Sequence, residues 1–328
     1  MIKLIAKHTF TIVNVFLIIF LFLLICNLRA AAQTTFTDTG HKLEIQLKPD
    51  KKVIMLNEPA FLFFEIKNYS SEDLCVWQGG DYRNRLGRPN SFTVTVTKED
   101  GRAVPQPEAF GNDGLGVDCV QIPAYGSHIL KLFLPHWATF ETPGFYTVNV
   151  QKRLAVQIYS IWKNERSMES SSRLQAETGT KFQVVAKDEK KLGEIIDSFG
   201  AVTLDVNNPE AADAALALAY INDKRVIPYF AQALEKFNKH KFDFESLKQL
   251  NISQRAIYAL SKFNDRAALE ALEAAMNSPS EDTRESIAVA FRNMSHPKVR
   301  NLLLKMLKDE NVEVRKAARE TLAKRGRK

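Results

Sequence analysis

A repeated pattern in residues 209–328 constrains the fold of this chain more than any other feature of the sequence. A large apolar residue recurs at offsets of 42, 31 and 31 residues, at Leu218, Leu260, Phe291 and Leu322. Another apolar residue stands four positions before each of them. Spacings of three and four put such residues on one face of a helix. Periods of this length are typical of stacked helical units, which bury their apolar faces only against their neighbours.

A second helix is predicted in each unit after a short turn. Its apolar face aligns in three rows: Val226, Ala268 and Val299; Phe230, Leu272 and Leu303; Leu234, Met276 and Leu307. Proline near a cap residue marks several helix starts, as in Ser278-Pro279. The longer first offset implies an insertion near 240–250, and the last unit has only its first helix. The array therefore holds about three and a half repeats.

The first helix of the last unit, 312–322, contains the pattern "VRxAAxxAL" from Val314 onward. This pattern resembles HEAT repeats of the short bacterial type, similar to phycobilisome-lyase HEAT-like units. Arg284 is the counterpart of Arg315 one unit earlier, whereas the first two units have Ala211 and Ser253 there. The resemblance implies an α–α solenoid over about 120 residues. A lyase role is not expected, because a fold does not carry a function with it.

Residues 41–186 show the alternation of apolar and polar residues that is typical of β-strands. The predicted strands are 43–48, 60–67, 91–97, 128–134, 145–150 and 181–185, and the second is apolar enough for burial on both faces. Asp100-Gly101 predicts a hairpin turn. Residues 163–179 are expected to form a mobile excursion between strands. About seven short strands predict an antiparallel sandwich.

Three short motifs in this region resemble bacterial immunoglobulin-like domains. They are Asn57-Glu58-Pro59 before the strand 60–67, Asn68-Tyr69-Ser70-Ser71 after it, and Pro143-Gly144-Phe145-Tyr146-Thr147-Val148 at a late strand. The resemblance implies a tyrosine-corner role for Tyr146. It does not extend to the cysteines, since Cys75 is expected to end a strand and Cys119 to lie in a loop.

The first 32 residues have the pattern of a secretory signal peptide. A positive start precedes apolar residues 12–26, and Ala30 and Ala32 have the small-residue spacing of an export cleavage site. Cleavage is expected near Ala32, which makes the protein periplasmic or secreted. The alternative is an uncleaved anchor, although the apolar run is shorter than the roughly 18–20 residues that span a bilayer.

Cleavage would leave two cysteines, Cys75 and Cys119. Two cysteines in an exported chain indicate one disulfide. It would close a loop of about 45 residues and contribute about 4 kcal/mol in the chain-entropy model. Two buried free thiols are the alternative. The chain has no CxxC pair, so neither a redox site nor a cysteine zinc site is predicted.

The sequence contains none of the common catalytic motifs. There is no P-loop, GxGxxG, GxSxG or HExxH, and the histidines of the mature chain are far apart: His41, His128, His136, His240 and His296. Paired acids such as Glu281-Asp282 stand at helix starts, where the helix dipole favours them. No catalytic residue, cofactor or metal site is expected.

The formal net charge of +7 is concentrated at the end of the chain. Residues 297–328 hold 11 Lys and Arg against 4 Asp and Glu. Nucleic acid is not an expected partner of an exported protein. An acidic partner or an anionic surface is one interpretation of this charge, and a solvated capping helix is the other.

Two partner-binding surfaces are predicted. The first is a polar row along the second helices, expected on the concave face that solenoids use for binding. It contains Gln232, Glu235, Glu270, Asn301, Lys305 and Lys308. The second is the loop 79–89, where Arg83 and Arg85 would meet an acidic partner or, alternatively, carboxylates of their own domain.

The predicted fold is multidomain, all-β plus all-α. It has a signal peptide (1–32), an antiparallel immunoglobulin-like β-sandwich (33–186), a helix and linker (187–208) and a short HEAT-like α–α solenoid (209–328). The predicted function is a non-catalytic exported scaffold or adaptor that binds an unknown protein, with no integral membrane segment after cleavage. Peripheral contact of the protein with the cell envelope is an interpretation that the sequence leaves open. The alternative is an extracytoplasmic hydrolase or carbohydrate-active enzyme with a site in the sandwich loops.

Overall fold

The computed structural model describes two compact units. One, the strand unit, comprises Met1–Val53, Phe61–Thr139 and Gly144–Val184. The other, the helical unit, comprises Ile54–Ala60, Phe140–Pro143 and Val185–Lys328. The described residues are 34–36, 41–77, 81–83, 91–107, 113–115, 119–167, 169, 171–238 and 247–326. The predicted signal peptide lies outside them.

Twelve strands occur among the described residues. They are β1 (Thr34–Phe36), β2 (Leu43–Pro49), β3 (Val53–Met55), β4 (Phe61–Asn68), β5 (Leu74–Trp77), β6 (Asp81–Arg83), β7 (Phe92–Lys98), β8 (Asp113–Leu115), β9 (Cys119–Ile122), β10 (Ser127–Phe133), β11 (Gly144–Ile158) and β12 (Ser172–Val185). One sheet has the order β1-β2-β4-β10. A second has the order β3-β12-β11-β5-β9, with β7 also paired to β11, and β6 pairs with β8. Phe64 of β4 meets Phe92 of β7 edge to face at 5.3 Å, which brings the two large sheets together.

The strand β4 has one core face rather than two. Leu62, Phe64 and Ile66 are fully buried, whereas Glu65 and Lys67 on the other face are partly exposed. The predicted burial on both faces is therefore wrong. An antiparallel sheet keeps one face on the core and leaves the other partly open to water, even where that outer face carries some apolar side chains.

The prediction of a mobile excursion at 163–179 is also wrong. A short helix, α1 (Tyr159–Glu165), is followed by β12, which pairs with β11 from Val156↔Ser172 to Gly144↔Val184. The inward side chains of β12 include Ala176, Thr178 and Thr180. These small or polar residues conceal the apolar alternation by which a strand is recognised in the sequence.

Asn68 organises the turn after β4. Its Nδ2 donates hydrogen bonds to the carbonyls of Glu72, Ile122 and Pro123, at 2.8, 3.3 and 3.0 Å. Its Oδ1 accepts from the backbone N–H of Ser70 at 2.8 Å. A buried amide with these partners is fully committed to structure, and it ties the end of β4 to the end of β9.

Cys75 and Cys119 form a disulfide, with Cα atoms 5.4 Å apart. The predicted pairing is confirmed, but the predicted loop position of Cys119 is wrong. Cys119 begins β9, where it lies opposite Trp77 of β5 in the antiparallel register. Cys75 is fully buried. The bridge therefore ties the last strand of the sheet order, β9, to its neighbour.

The helical unit begins with α2 (Glu189–Leu204), which is capped by Asp188. The predicted helix end at Gly200 is wrong, since the helix continues for four residues beyond it. Gly200 is buried, and a Cβ atom there would come within 2.3 Å of the ring of Tyr229. The glycine permits close packing of two helices instead of ending one.

Seven α-helices follow among the described residues: α3 (Ala211–Tyr220), α4 (Ile227–Phe237), α5 (Leu247–Ser261), α6 (Arg266–Ala275), α7 (Glu281–Ala290), α8 (Lys298–Met306) and α9 (Val312–Arg325). The first helices of the units stack in the order α3, α5, α7, α9. The helices α4, α6 and α8 are the second helices, and α4 packs on α6. The helix α2 contacts both α3 and α4. It therefore occupies the position that a second helix would have in a unit before the first pair.

The repeated apolar positions lie in one core cluster of the helical unit. Leu218, Leu260 and Phe291 are fully buried in it, together with Phe230 and Leu303 from the second helices. The predicted helix pairs are confirmed. Among the described residues, no helix is both long enough and apolar enough to cross a membrane.

Candidate protein-binding site

The second helices bury one face and leave a polar face open. On α4, Phe230 and Leu234 are buried while Gln232 and Glu235 are exposed. This division follows from the helical period, because residues three or four apart share a face. The same pattern exposes Glu270 on α6.

The α8 end of this row is basic. Asn301 and Lys305 on α8 and Lys308 just after it are all exposed. None of the three side chains has a hydrogen bond or ion pair with another described residue. Glu270, by contrast, accepts a hydrogen bond from Arg266 at 2.7 Å, one turn away on its own helix. We call Gln232, Glu235, Glu270, Asn301, Lys305 and Lys308 the second-helix row.

An exposed leucine lies within the basic end of the row. Leu304 on α8 is 40% exposed, between Asn301 and Lys305. An apolar side chain surrounded by unpaired polar ones can enter a partner's pocket and add buried area to a charged contact. Leu304 was not among the residues predicted from the sequence, although its position three residues after Asn301 places it on the same helix face.

The arginine of the HEAT-like pattern fastens one unit to the next. Arg284 donates from Nε and Nη2 to the two carboxylate oxygens of Asp309, at 2.9 and 3.1 Å. Nη1 donates to the carbonyl of Ser278 at 2.7 Å. Both side chains of the ion pair are largely buried, at 8% and 12% exposure. The sequence pattern indicated the arginine but not its acceptor, which lies 25 residues further along the chain.

Asp309 is held in its charged form. Burial by itself would raise the pKa of Asp309, but the hydrogen bonds from Arg284 and from the backbone N–H of Asn311 outweigh it. The pKa of this carboxyl therefore lies below its ordinary value. The pair is a structural junction, because all three guanidinium nitrogens of Arg284 are occupied.

The second predicted surface lies almost wholly outside the described residues. Arg83 ends β6, of which only the backbone is described, and Arg85 lies outside the described ranges. Elsewhere, no group of three or more His, Cys, Asp or Glu that could hold a metal ion occurs in the described parts of the chain, and His240 lies outside them. Burial lowers the pKa of His128 on β10.

Two family models match the C-terminal helices. The model of HEAT repeats matches residues 274–328, and that of the PBS lyase HEAT-like repeat matches residues 254–278. The chain therefore carries HEAT repeats in its helical unit, behind an N-terminal β-sheet region. HEAT repeats generally mediate protein–protein interactions. No curated protein matches the chain.

Several solved structures are weakly similar to parts of the chain. Human deoxyhypusine hydroxylase in complex with glycerol is 19% identical with a TM-score of 0.34, over 40% of this chain and 44% of that one. The chain thus spans less than half the length of that enzyme. A PapD-like domain of human CEP192 is 12% identical with a TM-score of 0.23, over 43% and 87%. A CARDB domain from Pyrococcus furiosus is 16% identical with a TM-score of 0.21, over 47% and 95%.

Proposed function

We propose that this protein is a non-catalytic exported scaffold or adaptor that binds a partner protein along the second-helix row. The observation that carries the proposal is the exposure of this row on three second helices of the HEAT array, with unpaired Lys305 and Lys308 at one end. Repeat arrays present extended surfaces of this kind to partners. The matched HEAT repeats support the same class of function.

The partner is proposed to carry acidic groups opposite α8 and an apolar group for Leu304. Unpaired surface lysines attract an acidic partner and set its orientation, while buried apolar contacts supply most of the affinity. The strand unit is proposed to be an immunoglobulin-like sandwich whose loops, with Arg83 and Arg85, offer a second contact. Its antiparallel sheets and the turn built on Asn68 support that proposal.

Export is proposed from the signal-peptide pattern that ends near Ala32. The disulfide supports it, because disulfides persist in oxidising compartments and are rare in the cytosol. N-terminal sequencing of the protein purified from its native cell tests this directly. A mature chain that begins near Gln33 is the expected result, and a chain that begins at Met1 would show an uncleaved anchor instead.

The binding proposal is tested by affinity capture with the full chain as bait. We expect the double charge reversal K305E/K308E to release a partner that the wild-type protein retains. The variant K190E/K191E is the matched control, since it makes the same charge change at exposed lysines of α2. The captured partner is then purified and its affinity for both variants is measured by calorimetry. Equal retention by all three baits would remove the second-helix row as the site.

The non-catalytic part of the proposal needs its own measurement. The purified protein is incubated with panels of chromogenic ester and glycoside substrates, with and without added divalent metals. We expect no turnover above the buffer rate. Saturable hydrolysis that co-purifies with the protein would favour the enzymatic alternative, with a site in the loops of the strand unit.

A further inference from the structure

The helix α9 presents a face that is buried in the equivalent helix one unit earlier. At the 31-residue offset of the last two units, Ala288 and Arg284 of α7 correspond to Arg319 and Arg315 of α9. Ala288 is fully buried and Arg284 nearly so, while α9 packs against α7. On α9 itself, Arg319 is exposed and Arg315 is partly exposed. The face of α9 that corresponds to the stacking face of α7 is thus exposed or partly exposed in the part of the chain that the structure describes.

Arg315 makes the same backbone contact as Arg284 but lacks its carboxylate contact. Its Nη1 donates to the carbonyl of Asp309, six residues earlier, at 2.7 Å, just as Nη1 of Arg284 donates to the carbonyl of Ser278. In Arg284, the remaining nitrogens Nε and Nη2 hold a carboxylate. In Arg315, these two nitrogens form no hydrogen bond with any described residue. The geometry at Arg284 therefore indicates that Nε and Nη2 of Arg315 can donate to a carboxylate in the same way.

Arg319 places a guanidinium with no hydrogen bond to any described residue one turn from Arg315. On a helix, a residue contacts its neighbours three and four positions away. For Arg319 these are Arg315, Lys316, Leu322 and Ala323, so no acidic residue stands among them. Like charges four residues apart destabilise a helix. A partner that brings carboxylates to both arginines removes this repulsion.

An apolar residue completes the surface. Val312 is 59% exposed and stands three residues before Arg315 on the same face. We call Val312, Arg315 and Arg319 the α9 end face. An acidic segment with one apolar side chain matches the charge of its arginines and the apolar surface of Val312.

We propose that the α9 end face is a second docking site, for an acidic helical segment of a partner protein that repeats the Arg284–Asp309 contact. Carboxylates of that segment pair with Nε and Nη2 of Arg315 and with the guanidinium of Arg319. Paired hydrogen bonds between a guanidinium and a carboxylate are short, directional and charge-assisted. This site shares no residue with the second-helix row, so the test of this site is independent of the test of the proposed function.

The test measures binding of a fluorescently labelled, 20-residue helical peptide with Glu at four-residue spacing. The same peptide with Gln at those positions is the ligand control. We expect the full chain to bind the Glu peptide, and R315Q/R319Q to weaken binding by about tenfold or more. R319Q alone is expected to weaken it several-fold without any effect on thermal unfolding, because Arg319 makes no ion pair with the described residues.

The variant K305Q/K308Q removes the same two charges from the second-helix row. We expect it to leave affinity for the Glu peptide within about twofold of wild type. Equal weakening by both double variants would overturn the proposal, since it would show attraction by net charge alone. The proposal also fails if the Gln peptide binds equally well. Inorganic phosphate and anionic lipid vesicles are tested in parallel, and tighter, arginine-dependent binding of either would replace the acidic segment as the occupant.

Discussion

The strand unit and the helical unit form their cores from contacts of different range. In the strand unit, β4 pairs with β10, whose residues lie about 60 positions away, as in the pair Lys67↔Ser127. In the helical unit, each first helix packs on the next one of the array. Non-local pairing must close long loops before any contact forms, which slows folding. The helical unit can instead grow from one junction to the next.

Because each unit is compact, we expect the two units to respond separately to damage. The tryptophans Trp77, Trp137 and Trp162 all belong to the strand unit, whereas most helices belong to the other unit. Tryptophan fluorescence therefore follows the strand unit, and circular dichroism at 222 nm mainly follows the helical unit. The four predictions below use these two signals.

The largest effect is expected from Phe230→Ala. Phe230 is fully buried in the core cluster of the helical unit, so the change should lower the free energy of unfolding by about 3–5 kcal/mol. The loss should shift the urea midpoint of the 222 nm signal and leave the fluorescence midpoint in place. Phe64→Ala, at a fully buried position of β4, is the matched control and should shift fluorescence instead. A common shift of both signals in either variant would show that the units unfold together.

Loss of the disulfide should affect only the strand unit. We expect C75A/C119A to lower the free energy of unfolding of that unit by about 2–4 kcal/mol, because the open chain regains loop entropy when it unfolds. The fluorescence midpoint in urea reports this loss. Reduction of the wild-type protein should reproduce it and should leave the double variant unchanged. A stability independent of reductant would contradict the pairing of Cys75 with Cys119.

Arg284→Ala should weaken the junction between α7 and α9. It leaves a largely buried carboxylate and the Ser278 carbonyl without their donor, at a cost of about 2 kcal/mol. The 222 nm midpoint in urea measures it. Arg266→Ala is the control: its ion pair with Glu270 is exposed to solvent, so its loss should cost much less stability than the loss of Arg284. Equal costs for the two variants would mean that burial adds nothing to the Arg284 pair.

The smallest effect is the pH dependence of the same junction. A carboxyl with a lowered pKa in the folded protein stabilises it above the unfolded value and loses that contribution as the pH falls through the folded value. The stability advantage of wild type over Asp309→Asn should thus be full near pH 6 and shrink below 3.8, the ordinary value for this carboxyl. Urea midpoints at a series of pH values measure the difference. If the advantage of wild type over Asp309→Asn grew on acidification, the pKa of Asp309 in the folded protein would be raised instead of lowered.

The helical unit was predictable because its contacts repeat at a fixed offset. Leu218, Leu260 and Phe291 stand at aligned positions in the sequence and are buried together in the structure. Arg284 was visible as a pattern, but its partner Asp309 was not, because a single sequence does not show which of several acids lies across a junction. The prediction of a helix end at Gly200 was wrong, because a glycine can stand either at the end of a helix or where two helices pack closely.

The strand unit was predictable only where alternation is clear. The strands β2, β7 and β10 were predicted nearly to their bounds. The start of β12 was not, because its inner face carries Ala176 and Thr178 among its buried side chains. The disulfide followed from the number of cysteines, whereas the strand position of Cys119 depends on pairing with β5. Of the candidate sites, the exposure of the second-helix row followed from helical period alone, while the α9 end face required the bonds of Arg284.

The contact between Arg284 and Asp309 also bears on how such a chain can change in length. Residues 281–311 contain both partners of this contact: Arg284, which donates, and Asp309, which accepts its hydrogen bonds. A tandem duplication of this segment would add a second arginine and a second aspartate with the same separation of 25 residues. The array could therefore lengthen through a single genetic event, with every new junction already compatible with the old ones.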